Sequence, residues 1–277
     1  MTVHSQDGLE LATLSWEGVR PQILMVHATG FVKEMWSPVV EELRTLGNSA
    51  HITALDQRGH GDSESTHPPF DWWDLGRDAL VAARTSGARF GVGHSSGAAA
   101  LAMAELLEPG TFDHLVLIEP IAFPGPYAHL PEMSMAVAAR KRRDVFADAD
   151  HAERNFREKP IFSRWDERAM RMYIDHAFTS DERGHVLKCS GATEAEFYSA
   201  GSAHGLWDRL HELTIPVTLV AGSDSDTHQG AFLAAQQQRF RTVEVEVVAN
   251  AGHLVPMEAP ARVAELVHGA FQETYGR

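Results

Sequence analysis

The chain has one cysteine, Cys189, so no disulfide can form within it. It lacks an apolar run long enough to span a bilayer, and its opening residues, Met1-Thr2-Val3-His4-Ser5-Gln6-Asp7-Gly8, hold no apolar leader core. Basic residues are scarce beside acidic ones, 24 against 38, for a formal charge of −14. Such a surface argues against nucleic acid or an anionic membrane as partner. Histidine is plentiful, but none of the 16 falls in an H-E-x-x-H or other paired-ligand spacing, so neither metal nor cofactor is expected. The cytoplasm is the expected compartment. No repeat or low-complexity tract interrupts the 277 residues, enough for one large α/β domain with a modest insertion.

What is present is a rhythm. Short apolar runs at 23–26, 52–55, 90–92, 115–118 and 217–220 have the composition of strands buried on both faces, and a further strand is expected over 243–248. An opening strand or hairpin is expected after the turn at Gln6-Asp7-Gly8. Between the runs lie helical patterns: one starting at Ser37-Pro38, with serine as the cap, one over 71–83 capped by Asp71, one over 98–107 and one over 261–271. Strands alternating with helices predict an α/β fold, a mostly parallel central sheet covered on both faces. From about 121 to 213 the pattern turns polar and helical, with helices expected over 133–146, 166–178 and 193–199. Residues 1–120 and 214–277 are thus expected to form the core, and 121–213 a helical insertion over one end of the sheet.

In such a sheet ligands sit beyond the carboxyl ends of the strands. The chemically capable residues fall there: His27 to Thr29, Ser95, Glu119, Asp224, Asp226 and His253. Gly93-His94-Ser95-Ser96-Gly97 follows a strand and opens a helix, the pattern of a nucleophile on a sharp turn. A serine hydroxyl needs a base to take its proton, and His253, beside Gly252 after the last strand, is placed to supply it. A carboxylate must then orient the imidazole, and Glu119, Asp224 and Asp226 are all candidates.

Four segments in order, His27-Ala28-Thr29-Gly30-Phe31, Asp56-Gln57-Arg58-Gly59-His60-Gly61-Asp62-Ser63, Gly93 to Gly97, and Gly252-His253, resemble the α/β-hydrolase superfamily over nearly the whole chain. The resemblance implies Ser95 as nucleophile, His253 as base, an oxyanion hole from the N–H groups of Thr29 and Ser96, and a cap formed near 121–213. Many members carry the acid three residues after the glycine that here is Gly222, a place held by Ser225. Some branches, small esterases and fungal lactonases among them, carry it where Glu119 stands, so Glu119 is preferred to Asp224 and Asp226.

The expected activity is hydrolysis of a small-molecule carboxylic ester or lactone. The alternatives are C–C bond cleavage or acyl transfer with the same residues, and a non-catalytic ligand receptor. Phe31, Trp36 and Phe123 adjoin the strand ends and are expected to line an apolar pocket. Asp56 to Ser63 reads as a structural turn, Cys189 as an ordinary buried residue, and Arg140-Lys141-Arg142-Arg143 as the solvated face of a helix. Natural substrate and oligomeric state lie beyond the sequence.

Overall fold

The computed structural model describes residues 2–276. In chain order it contains β1 (Thr2–His4), β2 (Glu10–Trp16), β3 (Val19–Val26), α1 (Ser37–Thr45), β4 (Ala50–Leu55), α2 (Trp72–Ser86), β5 (Ala88–His94), α3 (Ser96–Leu107) and β6 (His114–Ile118). Next come α4 (Ser134–Lys141), β7 (Val145–Phe146), α5 (Ala149–Arg157), α6 (Glu167–His176), β8 (Phe178–Asp181), β9 (Gly184–Leu187), α7 (Gly191–Ala200) and α8 (Leu206–Arg209). The chain closes with β10 (Val217–Gly222), α9 (Gly230–Gln237), β11 (Val243–Val248), α10 (Val255–Glu258) and α11 (Pro260–Tyr275).

Eight strands form one sheet in the order β1-β2-β4-β3-β5-β6-β10-β11. From β4 to β11 every pairing is parallel, and the β1–β2 and β2–β4 pairs are antiparallel. The apolar runs are the strands: Ile23 to Val26, Phe90, Val92, Leu115 to Ile118 and Leu219 to Ala221 are at most 1% exposed. Alternate side chains leave opposite faces, so the sheet feeds two cores. One packs Leu24, Val26, Leu115 and Leu117 against α2 and α3; the other packs Ile23, Met25, Val116 and Ile118 against α1 and α11. Asp71 caps α2 by accepting from the Trp73 N–H at 2.9 Å, whereas α1 begins at Ser37 itself with Trp36 as its cap residue. Among the described residues no helix is long and apolar enough to cross a membrane.

The segment between β6 and β10 departs from the helical expectation. It carries α4 to α8 together with a three-stranded antiparallel sheet, β7-β9-β8. The helix expected over 133–146 stops at Lys141, and Phe146 sits in β7. These strands run two to four residues, too short to register as a period-2 pattern. The segment has its own core of Phe146, Phe156, Trp165, Tyr173 and Phe178, which closes on Val32, Met35, Leu254 and Met257 from the main body. Arg142 also departs from a solvated face: its side chain turns inward to pair with Glu194 and donates to the Cys189 carbonyl at 2.9 Å.

Candidate active site

The parallel strands end in step. Val26 lies beside Leu55 and Gly93, His94 beside Ile118, and Ile118 beside Val220. Whatever follows each strand therefore emerges on one rim, which delivers His27, Asp56, Ser95 and Glu119 to the same place. Ser95 takes φ 56° and ψ −114°, a conformation L-residues rarely adopt. Its N–H donates to the Ile118 carbonyl at 2.8 Å, and its carbonyl accepts from Ala99 and Ile121, so the strain is held from both sides. The flanking glycines are required by space. A Cβ on Gly93 would lie 2.6 Å from Ala98 Cα, and one on Gly97 would lie 2.2 Å from the Val26 carbonyl oxygen.

His253 reaches in from the loop after β11. Its Nε2 is 3.1 Å from Ser95 Oγ and its Nδ1 is 2.9 Å from Glu119 Oε2. The loop is tied down on both sides of the ring. Glu258 accepts the Gly252 N–H at 2.8 Å, and His94 Nε2 donates to the His253 carbonyl at 2.8 Å. Burial, with His253 nearby, holds the His94 imidazole down at about 3, so it stays neutral and acts as a strut.

The contact with His253 falls to Glu119. Asp224 instead pairs with Arg164 at 2.7 Å on the surface, and Asp226 is exposed. Glu119 has a positive φ of 51° and is fully buried. Oε1 accepts the Gly222 N–H at 2.8 Å; Oε2 accepts Ser225 Oγ–H at 2.7 Å and lies 2.8 Å from His228 Nδ1. Burial by itself would raise this carboxyl, but hydrogen bonds from His228 and His253 outweigh it and hold the group well below the usual carboxylate range. Glu119 is therefore ionised, as a partner for an imidazolium must be.

The loop carrying Thr29 is braced by the Asp56–Ser63 segment. Gln57 donates from Nε2 to the His27 carbonyl at 2.6 Å and to Ser96 Oγ at 3.0 Å, joining the two stretches that carry the expected oxyanion donors. Asp56 accepts the Lys33 N–H and Nζ, each at 2.7 Å. Burial pushes the Asp56 carboxyl up, yet His27 and Lys33 beside it bring it down to about 2.

Of the expected pocket residues, Phe123 lies beside this cluster, its ring 6.2 Å from that of His228. Phe31 is half-buried and packs its edge on Tyr173 at 5.6 Å. Trp36 is corrected: at 2% exposure it belongs to the core beneath the sheet with Ile23, Met25 and Val39, because its helical turn points it inward rather than toward the rim. The sequence reading gave no site role to Gln57, His94, Ser225 or His228. Only Ser225 left a trace, by standing where related chains place their acid.

The geometry agrees with what the chain is similar to. Esterase Rv0045c of Mycobacterium tuberculosis (strain ATCC 25618 / H37Rv) is 25% identical over 283 residues, spanning 94% of this chain and 85% of its own. The solved peroxisomal alpha-beta-hydrolase Lpx1 from Saccharomyces cerevisiae superposes with a TM-score of 0.81 at 21% identity, over 98% of this chain and 84% of that one. E-2-(acetamidomethylene)succinate hydrolase superposes at 0.80 and 22% identity, over 100% and 98%. Both structures speak to the fold. A profile of the alpha/beta hydrolase family matches residues 23–266, and the chain belongs to that family.

Proposed function

We propose that this protein is a serine hydrolase that cleaves a carboxylic ester or lactone through an acyl-enzyme on Ser95. The observation that carries the reading is the unbroken contact from Ser95 Oγ through His253 to a buried, ionised Glu119. His253 Nδ1–H donates to Glu119 Oε2, which leaves the Nε2 lone pair facing the serine hydroxyl. Nε2 takes the hydroxyl proton as Oγ attacks the substrate carbonyl, and Glu119 stabilises the imidazolium. The N–H groups of Thr29 and Ser96 receive the oxyanion, each donor contributing ~3 kcal/mol in such sites. The imidazolium then gives its proton to the leaving alkoxide. A water, deprotonated by the same nitrogen, releases the acid and restores Ser95. Nothing in this sequence of steps calls for a cofactor.

Residues 121–213 act in this reading as a cap, since their aromatic core seats on Val32 and Leu254, beside the oxyanion loop and His253. The test is a panel of p-nitrophenyl esters and lactones of graded acyl length, run with a fluorophosphonate probe. Turnover of at least one substrate and a covalent adduct on Ser95 are expected. Absence of both would favour a ligand receptor built on the same fold.

A further inference from the structure

The segment between β6 and β10 holds a charged pair that the triad does not use. Glu194, in the first turn of α7, stands against the loop that carries Thr29. A Cβ on Gly30 would lie 2.4 Å from Glu194 Oε1, so the glycine beside Thr29 leaves the room this carboxylate takes. Oε1 accepts from the Tyr198 hydroxyl at 3.0 Å, and Oε2 pairs with Arg142 Nη1. Both side chains are shielded from water, 7% exposed for Glu194 and 17% for Arg142. Tyr173, packed against Phe31, sets its hydroxyl beside Arg142.

An unpaired arginine in this place would draw a carboxylate, which its planar fork binds through two parallel hydrogen bonds. Arg142 is not unpaired. Nη1 is committed to Glu194, Nη2 donates to the Cys189 carbonyl at 2.9 Å, and Nε lies 3.5 Å from Asp144 Oδ1. Asp144 is itself held in place, accepting the Gly191 N–H at 3.0 Å. A further carboxylate arriving here meets two negative groups around one guanidinium, and like charges pressed together out of water are strongly disfavoured. The other cation felt at this place, Lys159, turns its charge onto the Phe156 ring, 4.7 Å from its Nζ. What the pair still offers is acceptance: each Glu194 oxygen has a lone pair left for an N–H or O–H.

We propose that Glu194 is a specificity residue that cancels the charge of Arg142. The site then selects esters whose acyl chain carries an uncharged hydrogen-bond donor, an amide or a hydroxyl, over those carrying a carboxylate. The donor group binds Glu194 beside Gly30, one residue from the N–H of Thr29. This substrate class rests on the hydrolase reading, in which Thr29 holds the substrate carbonyl.

The test uses paired p-nitrophenyl monoesters of succinic, glutaric and adipic acid, the far end being either the free carboxylate or its primary amide. Members of a pair share a shape and differ in charge, and assays at pH 8 keep the carboxylate ionised. The unsubstituted chain should favour the amide by about tenfold or more in kcat/KM for at least one chain length. Glu194→Gln keeps the shape of the side chain but frees the guanidinium. It should move the ratio toward the carboxylate by about tenfold or more. Each ratio is taken within one protein, so a general loss of activity cancels. Indifference or a preference for the carboxylate in the unsubstituted chain, or an unmoved ratio in Glu194→Gln, overturns the proposal. Should the variant not fold, the ratio in the unsubstituted chain decides alone. If no ester is turned over, the hydrolase reading is what fails, and calorimetry with glutarate decides the site. Glutarate must then bind Glu194→Gln about tenfold or more tighter than the unsubstituted chain, and equal binding or none overturns the proposal.

Discussion

At the scale of single residues, the division of labour around Glu119 is specific enough to test. Ser95→Ala removes the only atom of the contact chain that can carry an acyl group, so kcat/KM should fall by about 10⁴-fold or more, with fluorophosphonate labelling abolished. Ser225→Ala removes the 2.7 Å donor to Oε2 while leaving the glutamate in place. A hydrogen bond to a charged group contributes roughly 1.5–3 kcal/mol, so kcat should drop about tenfold or more with KM little changed. A KM effect alone would place Ser225 in substrate binding instead. Ser95 and His253 were legible in the sequence because each sits in a short motif at a strand end. Glu119 was legible as the preferred carboxylate among three, by its place at the end of a strand, since which one reaches His253 is decided in space. His228 and Gln57 were not legible, and Ser225 only by its position, because their partners lie on other loops and no local pattern marks such a contact.

At the scale of elements, the turn that bears Ser95 depends on close approach. Gly93→Ala should leave little folded protein, and any that folds should be inactive, because the added Cβ meets the α3 backbone at Ala98. Soluble expression and circular dichroism check this, and an active, folded Gly93→Ala would contradict it. Gln57→Ala cuts the tie between the His27 and Ser96 stretches. It should lower kcat roughly tenfold or more while the melting temperature changes little, since a small displacement of oxyanion donors costs far more in rate than in stability. The parallel strands and their helices were readable because buried strands are continuous apolar runs and α2 announces itself with Asp71. The β7-β9-β8 sheet and α5 were not. Phe178-Thr179-Ser180-Asp181 is mostly exposed and no longer than a turn, and α5 is so polar that only Ala152 and Phe156 are buried.

At the scale of the whole molecule, three buried histidines and a half-buried one tie stability to pH. Burial is the main cause that lowers His60 and His94 to about 3, and His114 and His204 to about 4. Each is neutral in the fold but takes up a proton in the unfolded chain below about pH 6.5. The unfolded state then binds more protons, so stability is full above that pH and is lost as pH falls toward the folded values. Each group contributes about a tenfold change in the folding equilibrium per pH unit in that window. Asp56 acts lower still: its stabilisation is present above about pH 4 and lost as pH drops toward its folded value of about 2. Urea midpoints should therefore be level from pH 8 to 7 and decline steeply from 6 to 5, a decline that His60→Gln makes shallower. A level profile down to pH 5 would contradict the burial argument. The global α/β architecture was legible because alternation of strand and helix leaves few topologies, whereas the rim chemistry becomes visible only once the strands end in step. The account stands or falls on which acid serves His253, and one comparison reads that directly: kcat/KM for a p-nitrophenyl ester in Glu119→Gln beside Asp224→Asn. Glu119→Gln should fall by about 10³- to 10⁴-fold while Asp224→Asn stays within about twofold of the parent; near-normal turnover in Glu119→Gln with collapse in Asp224→Asn would contradict it.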